Sequence, residues 1–212
     1  MSPKTAAAAS SSAKSRTRKP KGQRVKFLKE FLANPTKIGA VAPSGKLLSR
    51  KMVEVANLAD KQTIIEYGPG TGVVTAQIIR YMKPSSKFFA IELNPAMCEI
   101  WRAKFPDRTL YEGNVMQVTR FCRKEGWNQV DCIISGLPWS SWPERLQRGI
   151  LDQMMKVLKP GGTFITFGYH VSRILPAGMR FARLLPEYFS TVERSKPIWR
   201  NIPSAFTVRC VR

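Results

Sequence analysis

Residues 66–72 read Glu66-Tyr67-Gly68-Pro69-Gly70-Thr71-Gly72, directly after an apolar run and before VVTAQIIRYM. Glycine at every second position lets a backbone turn tightly and come close to a ligand lying over a strand end. No GK[ST] follows, so this is not a Walker-type phosphate loop, and GPGTG lacks the third glycine of a GxGxxG turn in register. Alone, the segment reads equally as a tight turn. Three further segments supply the rest of a nucleoside site. Glu92, in FAIELNP, lies 20 residues after Gly72, where a carboxylate can accept both ribose hydroxyls of an adenosine. Gly113-Asn114-Val115 offers an amide that can accept from an adenine amino group. Ser135-Gly136-Leu137-Pro138-Trp139 closes another apolar run, and LKPGG leads into the next.

These groups converge only if the strands bearing them lie side by side. The pattern predicts strands at 63–68, 87–93, 109–115, 131–137 and 163–169. Helices are predicted at 72–82, 95–104, around 116–126 and at 143–158, with KPGG (159–162) as a turn. Helix-length connections between strands call for a parallel sheet covered on both faces, with ligands at the carboxyl ends of the strands. EYFSTVERS and AFTVRCVR read as a closing antiparallel pair. Upstream, Asn34-Pro35 breaks the chain. Ser44 then serves as an N-cap for a helix whose apolar face is Leu47, Leu48, Met52, Val55 and Leu58.

The chain has 212 residues, enough for one domain, with 43% hydrophobic residues to build its core. Its formal charge of +21 calls for an anionic partner, either nucleic acid or an acidic membrane face. Residues 1–22 are predicted to be a disordered basic tail, whose Arg- and Ser-rich, acid-poor character also suits a transit peptide. Residues 23–34 form a basic amphipathic helix with a Phe/Leu stripe beside Lys26 and Lys29. It suits a membrane interface, or it packs its stripe on the core. Residues 1–30 contribute +8 of the charge. Cys98, Cys122, Cys132 and Cys210 form no CxxC pair and His170 is the only histidine, which argues against zinc and for a reducing compartment. No apolar stretch approaches the roughly 18 residues a membrane span needs.

The combination ExGxGxG, IELN, GN, SGLPW and LKPGG resembles the class I S-adenosylmethionine-dependent methyltransferases over roughly residues 60 to 170. The resemblance implies an α/β, Rossmann-like fold: a seven-stranded, mostly parallel sheet with a reversed last strand, over residues 35–212. It implies S-adenosyl-L-methionine as methyl donor, S-adenosyl-L-homocysteine as product, and no metal. By analogy Glu66, Gly68, Gly70 and Gly72 surround the methionine portion. Glu92 takes the ribose, Asn114 and Val115 the adenine, and Leu93, Ser135 and Gly136 complete the cofactor set.

A narrower resemblance links KIGAVAPSGKLLSRKM, SGLPWSSWP and PIWRNIPSAF to the rhizobial-type phospholipid N-methyltransferases, from about residue 23 to Arg212. It implies methylation of phosphatidylethanolamine toward phosphatidylcholine at an anionic membrane surface, on the cytoplasmic face. Asn114 stands where an Asp is common in that family, and IPSA replaces LPPA. Trp139 then faces a methylated ammonium by cation–π attraction, or packs. Tyr169 or His170 orients or deprotonates the amine, or His170 is structural. Ser44 and Lys46 contact the cofactor carboxylate or a lipid phosphate, or merely start a helix. The rival reading is adenine N6-methylation of ribosomal RNA. SGLPW weakens it, because the polar residue and second proline that grip a planar amine are absent, so no nucleic acid is expected as partner.

Overall fold

The computed structural model describes residues 43–173, 176–199, 201 and 203–212. The expected tail (1–22) and amphipathic helix (23–34) lie outside the described residues. Seven strands form one sheet: β1 (Thr63–Tyr67), β2 (Lys87–Glu92), β3 (Thr109–Glu112), β4 (Val130–Ser135), β5 (Leu158–Tyr169), β6 (Thr191–Arg194) and β7 (Ala205–Val211). Their order is β3-β2-β1-β4-β5-β7-β6, and β7 runs antiparallel to both its neighbours. The expected mostly parallel sheet with a reversed last strand is what forms. The chain starts in the middle at β1, steps outward to β3, then returns to place β4 on the other side of β1. Such a reversal opens a crevice at the carboxyl ends of β1 and β4, where open α/β sheets bind ligands.

Side chains alternate across the pleat, so each strand feeds two cores. Ile65, Tyr67, Phe89, Ile91, Ile133 and Phe164 face one side, while Ile64, Phe88, Ala90, Cys132, Ile134 and Ile165 face the other. On the second face pack α1 (Pro43–Ala56), α2 (Val73–Tyr81) and α3 (Pro95–Lys104), through Met52, Val53, Ile78 and Trp101. On the first pack α4 (Val118–Lys124), α5 (Glu144–Met155) and α6 (Pro176–Tyr188), through Phe121, Leu151, Met154 and Leu184. All four cysteines are buried and unpaired by disulfides.

Five local expectations are corrected. The third strand stops at Glu112, because the Asn114 side chain accepts from Met116 N at 2.9 Å and starts a 3-10 turn over Val115–Gln117. The fourth stops at Ser135, and Trp139–Ser141 is another 3-10 turn. KPGG is no separate turn but part of β5, where the pairing with β4 shifts register between Val130 and Cys132. EYFSTVERS splits: its first two residues end α6 and the strand begins only at Thr191, because burying Phe181, Leu184 and Leu185 along one helical stripe outweighs the local β preference. Ser44 lies inside the first turn of α1, which starts at Pro43.

Candidate functional site

At the carboxyl ends of β1, β2 and β4 lies a cavity of about 790 Å³, within the usual range for small-molecule sites. It is lined by Gly68, Gly70, Glu92, Leu93, Asn114, Val115 and Gly136 among the expected residues. Strand register brings them together. Tyr67 pairs with Ile91 on one side and with Ser135 on the other, so the residues following each strand meet over the same opening. Gly136 N donates to Tyr67 O at 2.8 Å, and an added Cβ on Gly136 would lie 2.6 Å from Gly68 O. Only glycine permits that approach. Gly70, at φ 54°, is different: a Cβ there meets nothing within 4 Å, because the space above it is open cavity.

Glu92 is the anchor of this opening. One carboxylate oxygen accepts from Gly70 N at 3.0 Å, and the other accepts from Leu93 N and Asn94 N, both at 2.9 Å. The side chain thereby locks the glycine turn to the end of β2. A carboxylate offers about four lone-pair sites, so acceptor capacity remains on the cavity side. Leu93, 66% exposed, forms the rim.

Glu66 is not brought to the cavity. As an even-numbered neighbour of Ile64 it points under α2, where Thr75 Oγ1 donates to its carboxyl at 2.6 Å and Trp101 Nε1 donates to Thr75 at 2.8 Å. Burial, opposed by the Thr75 bond and reinforced by the charge of Glu92, pushes the Glu66 carboxyl up to about 8. Gly72 is also withdrawn from the cavity; its φ of 82° starts α2, and a Cβ would collide with the Phe105 ring. Both support the turn from behind the cavity.

Ser135 is fully buried. Its hydroxyl accepts from Trp139 Nε1 at 3.0 Å and from Leu137 N at 3.3 Å, so it positions the SGLPW turn. Trp139 is 2% exposed and stacks on Phe181 with ring centroids 4.8 Å apart. Of its two readings, packing holds. Trp139 lines a second, smaller cavity, while Trp142, 5.8 Å from it, lines the first. Tyr169 and His170 line neither of these cavities. Burial holds the Tyr169 phenol well above its ordinary range, so it stays protonated and takes no proton. The His170 ring lies 5.3 Å from that of Trp199, and its Nδ1 is buried without a partner among the described residues. Lys46 is exposed on α1, outside both cavities; the Ser44 side chain lies outside the described residues.

Residues 64–162 match a family described as a methyltransferase domain. The chain is 30% identical over 186 residues to the ornithine lipid N-methyltransferase of Singulisphaera acidiphila, a match covering 77% of this chain and 97% of that one. This chain is a class I S-adenosylmethionine-dependent methyltransferase, related to the lipid N-methyltransferases. A probable ribosomal RNA small subunit methyltransferase A of Thermococcus gammatolerans is 32% identical over 89 residues, 41% of this chain but only 28% of that one. The O-methyltransferase of Bacillus cereus solved with S-adenosylhomocysteine shares the fold. Its TM-score is 0.60 at 16% identity, covering 92% of this chain and 93% of that one.

The methyltransferase's cavity fits its donor. The open space over Gly70 admits a ligand where a side chain would stand, and the Glu92 carboxylate borders the same space. Gly68 and Gly70 would hold the methionine portion, Glu92 the ribose, and Val115 with Leu93 the faces of the adenine. Asn114 Oδ1, already accepting from Met116 N, retains one lone pair for the adenine amino group. The sequence reading missed Trp142, Leu146 and Ile150, which form the opposite wall. The last two sit four residues apart on α5, so that helix's apolar stripe was the available signal. Among the described residues no cluster of His, Cys, Asp or Glu could hold a metal ion.

Proposed function

We propose that this enzyme N-methylates the amine headgroup of a membrane lipid. The acceptors are phosphatidylethanolamine and its mono- and dimethyl derivatives, converted toward phosphatidylcholine by an enzyme bound peripherally at the cytoplasmic face of an anionic membrane. One observation carries the reading: the likeness to a lipid N-methyltransferase runs through nearly that protein's whole length, whereas the ribosomal RNA methylase is matched over little more than a quarter of its own. Ornithine lipid, the acceptor in that relative's name, is the second amine lipid to test.

S-adenosyl-L-methionine, when bound, supplies a methyl group already activated by its sulfonium charge, so the protein's task is mainly positioning. Gly68, Gly70 and Glu92 fix the donor, and the wall of Trp142, Leu146 and Ile150 excludes water. The acceptor ammonium must lose a proton before it can attack. With the Tyr169 phenol held protonated and His170 outside both cavities, water takes that proton.

The test offers labelled S-adenosylmethionine to phosphatidylethanolamine vesicles, ornithine lipid vesicles and total RNA in parallel. Label in phosphatidylethanolamine, resolved as mono-, di- and trimethyl product, is the expected result. Label in ornithine lipid alone would move the acceptor within the same class. Label in RNA alone would overturn the lipid reading.

A further inference from the structure

The smaller cavity, about 450 Å³, shares no lining residue with the donor cavity. Its floor is the junction of β5 and β7, at Gly168, Phe206 and Val208, and its roof is α6, at Phe181 and Leu185. Trp139 lines this cavity and Trp142 the donor cavity, with their rings 5.8 Å apart. Among the described residues the polar lining is sparse: two serines and two arginines, with no carboxylate and no amide side chain. One of the serines, Ser172, donates its hydroxyl to Tyr169 O at 2.6 Å.

The two arginines set the ligand's charge. Arg183 and Arg194 are exposed and border the cavity, and neither makes an ion pair among the described residues. The nearest candidates by sequence are already taken: Glu187 by Arg148 at 2.7 Å, and Glu193 by Arg209 at 3.0 Å. Two unpaired guanidinium groups beside an aromatic pocket suit a molecule with an anionic head and an apolar body, since Arg recognises phosphate in a bidentate way.

We infer that this cavity binds a phosphate-bearing acyl chain, with the chain between β5, β7 and α6 and the phosphate at Arg183 and Arg194. It would hold the non-reacting part of the acceptor lipid, an assignment that rests on the lipid reading above. The site gives the enzyme a grip on one lipid molecule that is separate from general attraction to an anionic surface.

The full-length protein, saturated with S-adenosylhomocysteine to fill the larger cavity, is titrated by calorimetry with monomeric dodecyl phosphate, inorganic phosphate and dodecanol. Dodecyl phosphate is expected to bind more tightly than either of the others. The double variant Arg183→Glu/Arg194→Glu should weaken it about tenfold or more. Ala182→Trp, which fills the cavity without touching the charge, should do the same. In both variants S-adenosylhomocysteine affinity stays at the wild-type value, which also reports an intact fold. Inorganic phosphate binding as tightly as dodecyl phosphate would reduce the site to a free-anion site, and dodecanol binding as tightly would remove the arginines from it; either overturns the inference. So would undiminished binding to both variants, or none to the wild type. Vesicle methylation keeps the two readings apart. Lipid labelled without dodecyl phosphate binding sinks this site alone, and binding without any labelled lipid sinks the proposed activity alone.

Discussion

The Glu66 carboxyl is buried where no water could share its charge. It ionises only near pH 8 in the folded protein, against an ordinary value of 4.5 when the chain is unfolded. Between those values the native state binds the extra proton, so this group's contribution is complete below pH 4.5 and is lost as pH rises through 8. The melting temperature is therefore expected to fall between pH 5 and pH 8. Glu66→Gln, which keeps an acceptor for Thr75, should flatten that slope and raise stability at pH 8; an unchanged slope in a pH series of thermal melts would reject the assignment. Because Glu66 lies outside the cavity, the same variant should leave S-adenosylhomocysteine affinity within a few-fold of wild type. Glu92→Ala and Gly70→Ala should behave oppositely. The first removes the acceptor that ties the turn, and the second forces a side chain into φ 54° and into the ligand's space, so calorimetry should report at least a tenfold loss for each. Glu92 was legible because 20 residues from the glycine turn is the length of one helix plus one strand. The motif names Glu66 as a contact, whereas the two-residue period shared with Ile64 turns its side chain toward α2, where Thr75 holds it.

The strands and their order were legible because apolar runs alternate with helix-length segments. The ends of elements were not, because hydrogen bonds by single side chains decide them: Asn114 at the end of β3, and Ser135 with Trp139 after β4. α6 escaped notice for another reason. Its sequence begins and nearly ends in proline, and only the spacing of Phe181, Leu184, Leu185 and Tyr188 shows a helical face. Packing between elements makes a sharper prediction at Gly136. Gly136→Ala places a methyl group against the backbone oxygen of Gly68, which cannot move without parting β1 from β4. Stability should drop by about 1–3 kcal/mol, and cofactor affinity should fall with it, because the displaced strand ends are the cavity's own rim. A Gly136→Ala protein that melts as wild type and binds S-adenosylhomocysteine normally would show that the two strands can separate freely.

The whole molecule is basic, and +8 of its +21 lies in the first 30 residues. If that segment meets an anionic lipid surface, Lys26→Glu with Lys29→Glu should reduce sedimentation with anionic vesicles more than the matching Ala variants do, and added salt should erase the difference. Equal losses for Glu and Ala would point instead to packing on the domain. The charge was legible from composition alone, but the partner was not, since phosphodiesters of either kind answer it. One topological fact bears on how the molecule comes into being. β7 is last in the chain but sixth in the sheet, between β5 and β6, and its end is held by backbone bonds between Arg212 and Gly161 and Gly162. While the ribosome still holds residues 205–211, β5 has an open edge and β6 has no strand to lie against. The donor cavity draws on none of those residues, so its walls can assemble during synthesis. The smaller cavity, whose floor includes Phe206 and Val208, can close only once those residues have left the ribosome.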